Sequence, residues 1–221
     1  MNIDHVILGT RTIAPLREWL RDGHGLGITD GSPNPDGTAS WVVPMDTERV
    51  QYLELLVVND ESELAATEFG RTFLERTADD PAFLNWAVLS DDIDADAGRV
   101  EQLTGQDPEL FRGKSVRSDG QEVPWAEAAF AASWNTPSLP FFLQYENWPA
   151  RRARVPGDIA AAAHDHCPTG IIDLAVDVQR ADLSAWLGGA RLPLTVRTSS
   201  ADAVRAVTVA TASGSRALEL P

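Results

Sequence analysis

Three similar segments constrain the fold of this chain more than any other feature. Each begins with a strand-like run in which Asp or Asn follows an apolar residue, namely IDHVILGT, LNWAVLSD and IDLAVDVQ, beginning at positions 3, 84 and 172. A stretch with helical spacing of apolar residues follows each run. A second strand-like run closes each segment, namely YLELLVV, FFLQYE and RALEL, beginning at positions 52, 141 and 216. Three copies in the same order indicate an internal repeat of one structural module.

The repeated module is predicted to be βαβββ, because turn-rich segments and further strand candidates separate each helix from its closing strand. In the second copy, Asp119-Gly120 is typical of a hairpin turn between two strands. The predicted fold class is α+β, with two βαβββ modules in tandem and a C-terminal βαββ-like third module. The predicted boundaries are 1–80 and 81–146 for the paired modules (together 1–146), 147–170 for a connector and 171–221 for the third module. The connector is expected to be loop-like, with one short helix at 158–164.

Charge excludes two classes of partner. The chain carries 33 Asp and Glu against 18 Lys and Arg, a formal net charge of -15, which repels nucleic acids and anionic membranes. The basic run at 151–154 is interpreted as a solvated loop. No apolar run approaches the roughly 20 residues that span a bilayer, and no signal peptide precedes the first strand. The single Cys167 excludes an intrachain disulfide, so we expect a cytoplasmic protein.

Five short motifs occur along the chain in a fixed order. They are Ile3-Asp4-His5-Val6, Asp36-Gly37-Thr38, Tyr52-Leu53-Glu54-Leu55, Asp119-Gly120 followed by Trp125, and Leu139-Pro140-Phe141. In this order the chain resembles the glyoxalase-like domain proteins of the vicinal-oxygen-chelate superfamily, which includes glyoxalase I, extradiol dioxygenases and bleomycin-resistance proteins. Two positions depart from the resemblance. Asn34 lies where relatives often carry a histidine, and Cys167 replaces the histidine of a His-Pro-x-Gly turn.

The resemblance implies that the two tandem modules pair to form a curved mixed sheet around a cleft. It also implies a divalent-metal site built from the first and last strand of each paired module. The matching positions here are His5 and Glu54 in the first module, and Trp86 and Gln144 in the second. Imidazole, carboxylate and amide oxygen ligate Zn, Ni, Mn or Fe, and Glu146 is an alternative to Gln144. Indole offers only an N–H donor. Because Trp86 leaves the ligand set incomplete, we favour a metal-free cleft.

In the metal-free interpretation, His5 and Glu54 are candidate catalytic acid–base residues. The residues that share the cleft with them, and therefore the candidate ligand-binding residues, are predicted to be Tyr52, Trp86, Phe142 and Gln144. The implied function is small-molecule binding with lyase or isomerase chemistry. A non-catalytic ligand-sequestering protein is the alternative, and a scaffold whose cleft is filled by its own side chains is a third interpretation.

The third module needs a cover for its apolar face and for an open strand edge. Two solutions remain open from the sequence. Docking of the third module on the first two within the chain is the favoured solution. A homodimer in which third modules pair across a two-fold axis is the alternative.

Overall fold

The strands of the first two predicted modules form one eight-stranded sheet in the computed structural model, which describes residues 1–116 and 122–220. The predicted hairpin turn at Asp119-Gly120 lies outside the described residues. The first module consists of β1 (Asn2–Thr10), α1 (Ile13–Glu18, continued by a π-helical turn over Trp19–Gly23), β2 (Ser32–Pro33), β3 (Thr38–Pro44) and β4 (Tyr52–Val58). Two helices join it to the second module, α2 (Glu61–Ala65) and α3 (Glu68–Arg76).

The second module repeats this order, with one further helix before its closing strand. It consists of β5 (Ala82–Leu89), α4 (Ile93–Thr104), β6 (Phe111–Val116), β7 (Glu122–Ala128), α5 (Phe130–Asn135) and β8 (Phe141–Tyr145). The connector forms α6 (Trp148–Arg152) and α7 (Val155–Ala162). The third module consists of β9 (Pro168–Val178), α8 (Leu183–Trp186), β10 (Leu194–Thr198), β11 (Ala203–Thr211) and β12 (Gly214–Glu219). The connector therefore holds two helices, and the third module has one strand more than the βαββ pattern that we expected.

The strand order shows how the two modules pair. It runs β2-β3-β4-β1-β5-β8-β7-β6, so the opening strands β1 and β5 are neighbours at the centre and pair antiparallel. Each opening strand pairs in parallel with the closing strand of its own module, β1 with β4 and β5 with β8. This arrangement confirms the predicted α+β fold with a curved mixed sheet.

Local sequence signals set the limits of the predicted helix in the second module. Helix α4 begins after Asp92, whose carboxylate accepts a hydrogen bond from the backbone N–H of Ala95 at 3.1 Å. It ends at Gly105, whose φ of 68° lies in the left-handed region that glycine adopts without steric cost.

A four-stranded second sheet covers one face of the eight-stranded sheet. Its order is β10-β9-β11-β12. Trp86 of β5 and Phe142 of β8 belong to the same buried cluster as Leu174 of β9 and Val207 of β11. The third module thus docks within the chain, and the side chain of Trp186 donates a hydrogen bond to the carbonyl of Pro140 at 2.8 Å across this junction. The opposite face of the large sheet remains for the cleft.

Candidate functional site

A cavity of about 870 Å³ lies against the face of the large sheet that the second sheet does not cover. Strands β1, β4, β7 and β8 supply its floor, and helices α6 and α7 contribute to its wall. Polar and aromatic side chains of its lining include His5, Tyr52, Glu54, Trp125, Glu127 and Tyr145. A cavity of this size accommodates a small organic molecule.

A β-bulge in β1 brings two consecutive side chains together. Ile3 lies opposite Val88 of β5 and His5 lies opposite Ala87, so Asp4 has no opposite partner in β5. In a regular strand, neighbouring side chains point to opposite faces. Here His5 Nδ1 lies 2.8 Å from Asp4 Oδ1. Bulges of this kind often re-aim side chains near active sites.

Asp4 is a buried carboxylate that contacts an arginine and a histidine. Its side chain is fully buried, and Arg151 Nη2 lies 2.9 Å from Oδ1 and 2.7 Å from Oδ2. Burial acts to raise the pKa of Asp4, but the Arg151 guanidinium and the hydrogen bond from His5 outweigh it and hold that pKa below its usual value. Asp4 is therefore ionised, and it can accept a hydrogen bond from the N–H of His5 Nδ1. In the neutral imidazole, this leaves the Nε2 lone pair facing the cleft.

Glu54 lies on the other side of the imidazole. Its Oε2 is 3.5 Å from His5 Nε2, and its Oε1 accepts a hydrogen bond from Ser40 Oγ at 3.0 Å. The Asn34 side chain donates in turn to Ser40 Oγ at 2.7 Å. Asn34, which departs from the resemblance, thus positions Glu54 through Ser40.

Aromatic rings fix the plane of the His5 imidazole. The Tyr52 ring stacks on it with centroids 4.7 Å apart and an interplanar angle of 16°. Phe141 contacts it edge-on at 5.5 Å. Burial raises the pKa of Tyr52 and of Tyr145 above the ordinary phenol value. Both phenols are therefore protonated, and the two side chains hydrogen-bond to each other, so one of their O–H groups is engaged within the pair.

Glu127 of β7 is a site residue that the sequence reasoning missed. Its side chain lines the cavity and has no hydrogen-bond or ion-pair partner among the described residues. Burial raises its pKa from 4.5 to about 7; His5 opposes this shift, whereas Glu54 and Glu109 add to it. The signal was the two-residue period of the strand, because Glu127 follows Trp125 on the same face.

Three predicted ligand-binding residues lie outside the cavity lining, and the structure corrects them. Trp86 is fully buried against the second sheet, since Val6 rather than His5 is its partner in β1. Phe142 faces the same side and lies 6.2 Å from the Trp186 ring. Gln144 donates to the carbonyl of Asp91 at 3.1 Å. The residues of β8 that face the cavity alternate with these two: Phe141, Leu143 and Tyr145.

The side chains present do not form the metal site that the resemblance implies. His5 and Glu54 come together, but Gln144 lies on the other face of the sheet and Glu146 is not part of the cavity lining. Among the residues that the structure describes, no three His, Cys, Asp or Glu side chains converge as a metal-binding group. We therefore assign roles only to the protein's own side chains.

The basic run at 151–154 is not the solvated loop that we expected. Arg151 is 5% exposed and lines the cavity from α6. Its guanidinium carbon lies 3.6 Å from the Tyr145 ring centroid, in addition to its contact with Asp4. The connector thus completes the site that the first two modules begin.

Comparison with known proteins agrees with this architecture. The glyoxalase-like domain family matches residues 3–191, whereas a search of curated proteins gives no match. Among solved structures, a hypothetical protein from Staphylococcus aureus is 14% identical, with a TM-score of 0.65 and coverage of 96% of this chain and 91% of that chain. Within the described ranges, no helix is long and apolar enough to cross a membrane.

Methylmalonyl-CoA epimerases are more distant in structure. Those from Streptomyces coelicolor and Mycobacterium tuberculosis are each 17% identical to this chain, with TM-scores of 0.44 and 0.39. The alignments cover 66% and 65% of this chain, and 96% and 86% of the respective epimerases. Because the family match extends over most of the sequence, the resemblance to this family is confirmed: the chain belongs to the glyoxalase-like domain family.

Proposed function

We propose that the cleft binds a small organic molecule and that His5, held by Asp4, transfers a proton on it in an isomerase or lyase reaction. The observation that carries this proposal is the Asp4–His5 contact at the cavity, with the plane of the ring fixed by Tyr52. The glyoxalase-like fold supports small-molecule binding in general and leaves the reaction open.

The proton transfer follows from the contacts of the imidazole. Nε2 accepts a proton from a ligand carbon next to a carbonyl, and the ring becomes an imidazolium. Asp4 at 2.8 Å and Glu54 at 3.5 Å stabilise that positive charge. Return of the proton at another ligand atom gives an isomerase, and loss of a leaving group from the resulting carbanion gives a lyase. The phenols of Tyr52 and Tyr145, which hydrogen-bond to each other, leave one free O–H donor for the ligand.

Deuterium exchange tests this function without knowledge of the substrate. The protein is incubated in D₂O with a panel of ketones, 2-hydroxyketones and thioesters, and NMR follows the loss of the proton next to the carbonyl. The wild-type protein should exchange at least one panel member faster than buffer does. His5→Gln should lower that rate by about 10²-fold or more. Asp4→Asn should lower it as well, because Asn no longer fixes the tautomer.

His24→Gln is the matched control. His24 is a partly buried histidine that contacts Trp19 and does not line the cavity. Its replacement should leave the exchange rate unchanged. Absence of exchange above buffer for the whole panel, or equal rates in wild type and His5→Gln, would contradict the proposed function.

A second candidate is the sequestering protein that the sequence left as an alternative. It is favoured by the aromatic side chains that line the cavity and by the incomplete metal-ligand set. Tight ligand binding without any deuterium exchange would support it over the enzyme.

A further inference from the structure

The Arg and His side chains of the cleft already contact carboxylates. Arg151 contacts both carboxylate oxygens of Asp4, and Arg154 Nε lies 2.7 Å from Asp158 Oδ2. His5 is enclosed between the carboxylates of Asp4 and Glu54. An anionic ligand therefore finds no unpaired Arg or Lys among the described residues of the cavity wall.

Three negative side chains of the cleft, Asp36, Glu54 and Glu127, lack a guanidinium or ammonium partner among the described residues. Asp36 accepts hydrogen bonds from Thr38, and Glu54 contacts His5 and the Ser40 hydroxyl. Glu127 lines the cavity with no hydrogen-bond or ion-pair partner among the described residues. A carboxylate that is withdrawn from water without a countercharge is costly, and a cation placed beside it removes that cost.

Aromatic rings line the same cavity as these carboxylates. Trp125 lies on the same face of β7 as Glu127, and its ring is held by Phe111 at 5.4 Å. Phe130 and Phe141, with centroids 5.1 Å apart, line the cavity as well. The electron-rich faces of aromatic rings attract a positive group and also accept an apolar body. The overall charge of -15 further favours the approach of a cation.

We propose that the cleft selects an organic cation, a protonated or quaternary amine on an apolar body, with its positive group beside Glu127 and Glu54. This inference rests on the proposed function only in that a small molecule occupies the cleft. It assigns Glu127 as the residue that determines charge specificity. Glu54 contributes charge to the same region and remains the partner of His5.

Three probes of similar shape separate charge from size. They are phenyltrimethylammonium, the uncharged tert-butylbenzene and the anionic benzenesulfonate, and ligand-observed NMR gives a dissociation constant for each. The wild-type protein should bind phenyltrimethylammonium about tenfold or more tightly than tert-butylbenzene, and benzenesulfonate should bind more weakly than either.

Variants of β7 assign the effect to one side chain. Glu127→Gln keeps the size of the residue and should lower phenyltrimethylammonium affinity about tenfold, with little change for tert-butylbenzene. Glu127→Asp retains the charge and should keep most of the preference. Glu122→Gln makes the same change at an exposed position of the strand and should have no effect, and circular dichroism shows whether each variant is folded.

Equal affinity for the cation and the uncharged probe would overturn the inference, as would tighter binding of benzenesulfonate, no measurable binding of the cation, or unchanged cation affinity in Glu127→Gln. These outcomes are separable from the proposed function. Cation preference without deuterium exchange would leave the inference intact and contradict the enzyme. Exchange on a neutral ketone without cation preference would do the reverse.

Discussion

Replacement of Glu127 by Gln should stabilise the protein in a pH-dependent way. Burial raises the pKa of Glu127 from 4.5 to about 7 in the folded protein. Between these values the folded state holds a proton that the unfolded state has released, so stability falls as the pH rises. The loss is absent well below 4.5 and is complete above the folded pKa. Gln cannot ionise and escapes this loss.

The magnitude follows from the size of the pKa change. A difference of about 2.5 pKa units corresponds to about 3.4 kcal/mol in total. The Glu127 side chain is only partly buried by its accessible surface, so solvent screening lowers the expected effect. We expect the difference in free energy of unfolding between Glu127→Gln and wild type to increase by about 2 kcal/mol between about pH 5 and about pH 8.5.

Urea denaturation followed by tryptophan fluorescence measures this difference at each pH. Other titrating groups are the same in both proteins, so their contributions cancel in the difference. Glu122→Gln is the control, and its difference from wild type should not depend on pH. A difference between Glu127→Gln and wild type that stays constant from pH 5 to pH 8.5, or that decreases, would refute the assignment of a buried, unpaired carboxylate at this position.

Three further substitutions probe the supports of the site, each by urea denaturation. Arg151→Met leaves the Asp4 carboxylate buried without its main countercharge and should lower the free energy of unfolding by about 3 kcal/mol or more. Arg152→Met, at an exposed ion pair, should lower it by less than about 1 kcal/mol. Equal losses in the two variants would contradict the buried ion pair. Trp186→Ala removes the ring that joins the two sheets and should cost about 3–5 kcal/mol, and a cost under 1 kcal/mol would contradict intrachain docking. Trp86→His places a polar ring in a core and should destabilise the protein without creating divalent-metal affinity in a calorimetric titration. A gain in metal affinity would instead support the position in the cleft, beside His5, that the sequence predicted for residue 86.

The sequence predicted the elements that periodicity and end signals define. The closing strand of the first module spans Tyr52–Val58, as its run of apolar residues indicated. The helix after β5 ends at Gly105 as expected. These elements depend on local backbone preference and on one covered face, and both leave a pattern in the sequence.

The side-chain register of the cleft could not be read in the same way. The bulge at Asp4 depends on how β1 pairs with β5, and a shift of one residue exchanges the two faces of a strand. Trp86, which the sequence predicted to face the cleft, therefore lies in the core. His5, Tyr52 and Glu54 line the cavity because β1 and β4 pair directly within one module.

The sequence also did not reveal contacts between the cleft and segments that are distant in the chain. Arg151 reaches Asp4 across 147 positions of the chain, and a run of arginines in a connector is most often solvent-exposed. Its burial follows from the countercharge of Asp4 and from the Tyr145 ring, neither of which the local sequence reveals. The signal that could have suggested this ion pair is an Asp in a buried strand, which needs a countercharge, together with an arginine elsewhere in the chain that has no other role.

The tautomer of His5 is the property on which the proposed proton transfer depends most directly. Long-range ¹H–¹⁵N correlation NMR of the histidine side chains reports which ring nitrogen carries the proton in the neutral ring. We predict that His5 carries it on Nδ1 in the wild-type protein, and that Asp4→Asn shifts the population toward the Nε2–H form. A wild-type His5 with its proton on Nε2, or a tautomer unchanged by Asp4→Asn, would contradict the assignment of His5 as a base oriented by Asp4.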